Sequence, residues 1–401
     1  MHSDFDQARQ LFQEGIAHFE AGRLEQAEAK FLASLALMPG RTSILTNLAA
    51  TRLRLGRPAD ALPSLEQALT QAPDDVPARL QLGIALSALA QHAQALTHFQ
   101  RCVQAAPQLA AAWLWQGHAL RYLERHDEAL SRYDKALELE PQMGPAWAAR
   151  GAILSDRKEL ALAAQAFEQA IAHGTDPEVN GFMLASLRGE TPPGVPRPYV
   201  QGLFDDYAQT FDEHLVGVLN YQAHLSLVET LRSLHGQRFD SALDLGCGTG
   251  LCAPLLRAFV DHIDGVDLAG LMLAKASERG IYENLVQADL VEHLHATDRR
   301  FQLVLAADVF PYVGDLAEVF RGVRRVLEPG GWFCFSVEAS TDGKGLVLGT
   351  SQRYTHSEQY LREHARANGF EVAGVFNGPI REDQRKPIAG MYVYLSLPPL
   401  A

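Results

Sequence analysis

The chain has 401 residues, 47% of them hydrophobic, with 35 basic and 48 acidic side chains and a formal net charge of −13. That length exceeds one ordinary core and predicts two domains. The acidic balance, present in both halves, weighs against a nucleic-acid substrate, because such affinity comes from neutralising phosphates. The first residues carry no basic stretch ahead of an apolar core, and no apolar run approaches the roughly 20 residues a membrane span needs. The expected location is therefore the cytoplasm. Cys102, Cys247, Cys252 and Cys334 lack metal-ligand spacing and read as reduced thiols, so no metal is expected.

In the first half, Pro39, Pro73, Pro107 and Pro141 stand 34 residues apart. Gly15, Ala49, Gly83, Gly117 and Gly151 recur at the same period, as do Ala27, Ala61, Ala95, Ala129 and Ala163. So do the bulky Phe31, Leu65, Phe99, Tyr133 and Phe167, while Trp113 and Trp147 open the last two units. Small residues let two helices approach, a bulky side chain fills the gap, and proline ends the second helix. The period thus predicts about five helix pairs. The pattern resembles the tetratricopeptide repeat, which implies an all-α solenoid over residues 1–190 with a concave face built from the first helix of each pair. In that family's register the inward positions include Asn47, Arg54, Gln81, Trp115, His118, Arg121 and Tyr122. The resemblance implies that they line a groove for a protein or peptide. Taken alone, Trp115 and Tyr122 also read as packing between repeats, and Arg54 and Arg121 as solvated charges.

Residues Thr191-Pro192-Pro193-Gly194-Val195-Pro196-Arg197-Pro198 are unsuited to a helix and predict a stiff spacer over 191–200, with a second domain in 201–401. Leu203 to Leu215 then reads as an amphipathic segment burying Phe204, Tyr207 and Phe211.

Ser241-Ala242-Leu243-Asp244-Leu245 is a short apolar run suited to a buried parallel strand. Gly246, Gly248 and Gly250 break it at alternate positions. A dinucleotide fingerprint would need glycine at 251, where Leu251 stands. His262 to Asp267 reads as a second strand whose terminal acid lies 21 residues beyond Gly246; a carboxylate so placed accepts ribose hydroxyls in nucleotide sites. Strands are also predicted near 284–288, 301–307, 331–338, 370–377 and 390–397. Helices are predicted near 251–259, 269–279, 315–327 and 357–368, so the half reads as a seven-stranded, mostly parallel, Rossmann-like α/β sheet.

The glycine turn with its preceding acid, Asp267, Val286-Gln287-Ala288-Asp289-Leu290, the strand ending at Asp308 and the turn Glu328-Pro329-Gly330-Gly331 together resemble the motifs of the class I S-adenosylmethionine-dependent methyltransferases, in that family's order. The resemblance implies S-adenosyl-L-methionine as cofactor and S-adenosyl-L-homocysteine as product. It implies that Asp244 and the backbone of Gly246, Cys247, Gly248 and Gly250 hold the methionine part, and that Asp267 holds the ribose. Leu268 and Leu290 would flank the adenine, Asp289 would meet its amino group, and Ala306 would lie beside the methyl group. Met272, Ala288 and Tyr207 complete the implied cofactor set. In a bacterial group of repeat-containing methyltransferases, a segment similar to Leu203–Leu215 precedes the glycine turn. It implies a lid, with Tyr207, Phe211 and His214 facing cofactor or acceptor.

On the acceptor side, Asp308-Val309-Phe310-Pro311-Tyr312 replaces the Asn/Asp-Pro-Pro-Tyr motif of amide and adenine methylases, which argues against glutamine or adenine as acceptor. Base candidates are Asp308, Tyr312, Glu338 and His356, although His356 also reads as a cap for a helix starting near Ser357. Arg381, Arg385 and Lys386 are expected in a hairpin loop, to receive an acidic acceptor or to coat the surface. The expected activity is methyl transfer to a protein or peptide recruited by the repeats. A small-molecule acceptor, with the repeats used for assembly, and a non-catalytic cofactor-binding scaffold are the alternatives.

Overall fold

The computed structural model describes residues 2–208, 210–340, 343, 345–383 and 385–399. The chain divides into two compact units, Met1–Asn180 and Gly181–Ala401. None of the described helices is long and apolar enough to cross a membrane.

In the first unit, helices pair as α1 (His2–Glu20) with α2 (Leu24–Leu37), α3 (Thr42–Arg54) with α4 (Pro58–Gln71), and α5 (Val76–Ala88) with α6 (His92–Ala105). Two further pairs are α7 (Ala110–Tyr122) with α8 (His126–Leu139) and α9 (Gly144–Asp156) with α10 (Leu160–Ala172). The 34-residue pattern has a steric cause. A Cβ added to Gly15, Gly83 or Gly117 would stand 2.6, 2.4 or 2.5 Å from the ring of Phe31, Phe99 or Tyr133. In the second pair the glycine is Ala49 and the partner is Leu65, both fully buried; the smaller partner makes room for the extra methyl. The last two repeats also tie back to the ones before them, since Trp113 Nε1 donates to Pro107 O and Trp147 Nε1 to Pro141 O, both at 2.9 Å.

The boundary between the units falls inside α11 (Pro177–Arg188). The expected spacer is not a spacer. Thr191 to Pro196 is sewn onto the second unit: Tyr354 donates its hydroxyl to Pro192 O at 2.6 Å, Asp315 N donates to Pro193 O at 2.8 Å, and Gly194 forms a β-bridge with Gly314. Helix α12 (Arg197–Tyr207) begins at once, with Pro198 in its first turn, where a missing N–H costs nothing. A proline-rich run thus has no helix to lose and offers its carbonyls to neighbouring donors.

The second unit is built on strands β1 (Phe239–Leu245), β2 (Val260–Asp267), β3 (Asn284–Gln287), β4 (Phe301–Ala306) and β5 (Leu327–Ala339). A short pair, β6 (Leu346–Leu348) and β7 (Tyr354–His356), precedes the long β8 (Glu371–Asp383) and β9 (Lys386–Ser396). The order β3-β2-β1-β4-β5-β9-β8 contains the seven expected strands, with β9 antiparallel to its neighbours. β7 and β6 attach to the far end of β5 through Glu338 and Ala339.

Helices α13 (Ala223–His235), α14 (Ala253–Leu256), α15 (Gly270–Glu278), α16 (Leu290–Ala296), α17 (Ala317–Val326) and α18 (Glu358–Ala367) flank the sheet, and a π-helical turn spans Glu213–Val218. The helix expected over 251–259 shrinks to α14, because Phe259 O accepts from Phe239 N at 2.9 Å and is drawn into the strand register. Arg381 lies in β8 rather than in a loop, since the hairpin extends to Asp383. One core is aromatic: Phe310, Phe320, Phe333, Phe335 and Phe370 are all buried, with the Phe310 and Phe335 rings 5.1 Å apart. That anchor holds the turn after β4.

Substituting Gly117 with Ala drives a methyl into the Tyr133 ring and is expected to destabilise the repeat unit by about 1–3 kcal/mol. Guanidinium unfolding followed by tryptophan fluorescence measures this, since three of the four tryptophans (Trp113, Trp115 and Trp147) lie in that unit.

Candidate cofactor and acceptor site

The order of strands reverses between β1 and β4, and ligands in such sheets bind beyond the carboxyl ends at that point. A cavity of about 900 Å³ opens there. Its floor is the glycine turn. Gly246, Gly248 and Gly250 have φ of +65°, +54° and +83°, a region costly for any residue with a side chain. A Cβ on Gly246 would also stand 2.6 Å from Val309, whereas beside Gly248 nothing lies within 4 Å, so the backbone there is open to a ligand.

Three acids border this floor. Asp267 accepts from Gly248 N at 2.8 Å and Ala269 N at 2.9 Å, so the carboxylate is fixed and ties the turn to β2. Burial raises its pKa, and those amides oppose the rise. Asp289 caps α16 through Oδ1, which accepts from Val291 N and Glu292 N, while Oδ2 lies 3.5 Å from Arg197 Nε. Asp244 is 1% exposed and forms no ion pair among the described residues. Burial pushes its pKa up to about 7; a hydrogen bond from Tyr282 opposes the shift and the nearby Asp267 adds to it. A buried carboxylate without a cation is costly, and the ammonium of S-adenosylmethionine is the charge that would answer it. The residues present fit the cofactor.

Leu268, Met272, Ala288 and Leu290 line the same cavity, as do Cys247 and Tyr207. Ala306 does not: it pairs with Phe335 inside the sheet, and Ala307 faces the cavity instead, as alternation along a strand requires.

The roof is the segment from α12 to the π-helical turn, and it is fastened by carboxylates. Asp205 accepts from Leu271 N at 3.0 Å, at the start of α15. Asp212 accepts from the Thr249 hydroxyl and, at 2.6 Å, from Arg279, which also donates to Thr249 O. Phe204 meets Tyr312 edge to face at 5.0 Å, and Tyr207 meets Phe211 and His214. His214 lines the cavity with a buried, unpartnered Nδ1. Pro193, Gly194, Val195 and Arg197 complete the wall.

On the acceptor side, Asp308 occupies a left-handed backbone position (φ +59°), held by Ser336 Oγ accepting from its N–H at 2.8 Å. Its Oδ2 pairs with Arg381, which also pairs with Glu338; Arg381 is 4% exposed. Burial alone would lower the Arg381 pKa, but the two carboxylates raise it, so the guanidinium stays charged. Asp308 Oδ1 is buried and has no partner among the described residues. Tyr312 lines the cavity nearby.

Two base candidates fall away. Glu338 lies behind Arg381, outside the cavity, with its carboxylate committed to Arg381 and, at 3.7 Å, Arg353. His356 is fully buried on β7, where Nε2 donates to Gly314 O at 2.8 Å and burial pushes its pKa down to about 4. It is a neutral strut, and the cap of α18 is Ser357.

The repeat-face residues divide. Trp115 packs in the core between repeats, and His118 shares a hydrogen bond with the buried Tyr133 hydroxyl at 3.0 Å. Asn47 bonds its own helix at Ser43 O, Arg54 covers the Phe19 ring, and Gln81 is half-buried. Arg121 lies over Tyr122, whose ring stacks on His92 at 4.4 Å and remains 48% exposed.

The methyltransferase domain family matches residues 243–335, and tetratricopeptide repeat families match 40–108 and 110–143. The chain is 30% identical over 179 residues to the ubiquinone biosynthesis O-methyltransferase of Bordetella bronchiseptica, covering 41% of this chain and 72% of that one. It is 32% identical over 141 residues to the demethylmenaquinone methyltransferase of Chlorobaculum tepidum, covering 34% of this chain and 57% of that one. Among solved structures it is similar to the N-methyltransferase NodS of Bradyrhizobium japonicum in complex with S-adenosyl-L-homocysteine, at 16% identity and TM-score 0.36, covering 44% of this chain and 85% of that one. The chain belongs to the S-adenosylmethionine-dependent methyltransferases and carries tetratricopeptide repeats ahead of its catalytic unit.

Proposed function

We propose that the chain methylates a compact hydroxyl- or amine-bearing molecule seated between the tip of β4 and the π-helical turn. The observation that carries this reading is Oδ1 of Asp308, a residue of the cavity wall: this oxygen is buried and has no partner among the described residues, while Arg381 neutralises the other. A carboxylate already supplied with a cation has no need of a charged ligand; what it lacks is a neutral X–H donor. The cavity, about 900 Å³, is at the upper end of small-molecule sites, with room for a nucleoside and a modest acceptor. The curated relatives named above, a ubiquinone biosynthesis O-methyltransferase and a demethylmenaquinone methyltransferase, support a small acceptor.

In this reading, Asp244 and the open backbone at Gly248 hold the amino-acid end of the cofactor, Asp267 the ribose, and Leu268, Met272 and Leu290 the adenine. The cofactor supplies an electrophilic methyl group. Asp308 orients the acceptor and takes its proton as the new bond to the methyl carbon forms, so that the acceptor exchanges a proton for a methyl group. The aromatic roof of Phe204, Tyr207, Phe211 and Tyr312 excludes water, which strengthens these polar contacts. The repeat unit supports a second reading, in which the acceptor is a side chain of a protein docked on the repeats; the exposed Tyr122 and its Arg121 neighbour are the contacts it would use.

Labelled methyl transfer from S-adenosylmethionine to host lysate, separated into protein and small-molecule fractions, decides between them: label is expected in the small-molecule fraction, and label confined to protein overturns the leading reading. Asp308→Asn is expected to lower kcat by about 10²- to 10⁴-fold while leaving S-adenosylhomocysteine affinity unchanged in calorimetry. The wild-type affinity should itself depend on pH. Because the cofactor's ammonium favours the ionised form of Asp244, whose pKa is about 7 when free, binding expels a proton at lower pH. Affinity should be level above pH 8 and fall by up to about tenfold per unit below 7.

A further inference from the structure

Tyr282 is absent from every sequence motif, yet it reaches Asp244 in the cavity wall. It follows α15 and precedes β3, and the neighbouring Glu283 N donates to Ile263 O at 2.8 Å, fixing the backbone against β2. Its ring fills a slot between two glycines. A Cβ on Gly250 would stand 2.9 Å from the ring and one on Gly265 3.0 Å. At the end of that slot the phenol donates to Asp244 Oδ2 at 2.7 Å, the one hydrogen bond to this carboxylate among the described residues.

We propose that Tyr282 is a positioning residue for the cofactor: its hydroxyl fixes one oxygen of Asp244 and leaves the other for the cofactor's ammonium. The inference rests on the reading that Asp244 receives the methionine end. The charges around Asp244 leave this task to a neutral donor. From β2 it faces Asp267, from the glycine turn Cys247, and from the start of α14 Cys252. Both thiols are held protonated by burial. The nearby cation just after α15, Arg279, is committed to Asp212 and Thr249 O. An arginine in place of Tyr282 would satisfy Asp244 permanently and compete with the ammonium. A phenol, kept protonated by burial, stabilises the carboxylate without cancelling its charge.

Calorimetric titration of the full chain with S-adenosylhomocysteine between pH 6 and 9 tests this. Tyr282→Phe keeps the ring in its slot and removes only the donor. At pH 7 it is expected to weaken binding about fivefold, with the pH midpoint of affinity moved up by about one unit and the loss shrinking towards pH 9. In an Asp244→Asn background, where no carboxylate remains to be oriented, the same change should cost less than about twofold. An unchanged midpoint, or an equal loss at every pH and in both backgrounds, would overturn the proposal and leave Tyr282 a packing residue. Failure of the wild-type chain to bind S-adenosylhomocysteine at pH 8 would instead strike the cofactor reading on which it stands.

Discussion

Two buried carboxylates at the tips of adjacent strands make opposite demands, and the chemistry follows from the difference. Asp244, on β1, has a neutral phenol for a partner and, among the described residues, no cation. Asp308, just beyond β4, has a buried guanidinium for one oxygen and, among the described residues, no partner for the other. In a low-dielectric crevice an unanswered charge and an unanswered lone pair are both expensive, but they are answered differently. The first calls for a cation and the second for a neutral donor. In the proposed function, a sulfonium amino acid would meet the first demand and a hydroxyl or amine acceptor the second.

Close backbone approach makes this arrangement possible. Gly246 tolerates both a left-handed φ and the contact with Val309, which belongs to the turn carrying Asp308. The glycine turn therefore rests against the turn that carries Asp308. The roof is held in the same way, by Asp205 and Asp212 gripping the elements that follow Asp267 and Gly248. In the repeat unit the same principle works without chemistry: a missing Cβ in one helix receives a ring from the next. Where Ala49 restores that Cβ, Leu65 replaces the ring. One sequence thus contains both the rule and its compensation.

Much of this was legible in the residues. The 34-residue period shows the helix pairs, because the side chains that touch recur at fixed spacing. The apolar runs with terminal acids show the strands and the order of the cofactor-binding tips. The failures share a cause. His356 and Asp308 look alike in sequence as candidate bases; only the pairing of β7 with β5 shows that His356 is enclosed and bonded to Gly314. Ala306 and Ala307 differ by one step of strand alternation, which no composition reveals. The proline-rich run reads as a spacer until the carbonyl of Pro192 meets the Tyr354 hydroxyl, 162 residues away in sequence.

What the sequence alone determined were features set by local geometry: the repeated helix pairs and the seven main strands, where only glycine can turn the chain, and which acids stand at strand ends. What only the tertiary structure decided were the partners of those acids. Tyr282 reaches Asp244 across 38 residues, and Arg381 reaches Asp308 across 73. Spacing along the chain carries no trace of such meetings, because they depend on which faces of the sheet the folded chain brings together. Whether a buried carboxylate awaits a cation or a proton donor depends on that partner, and so does its role.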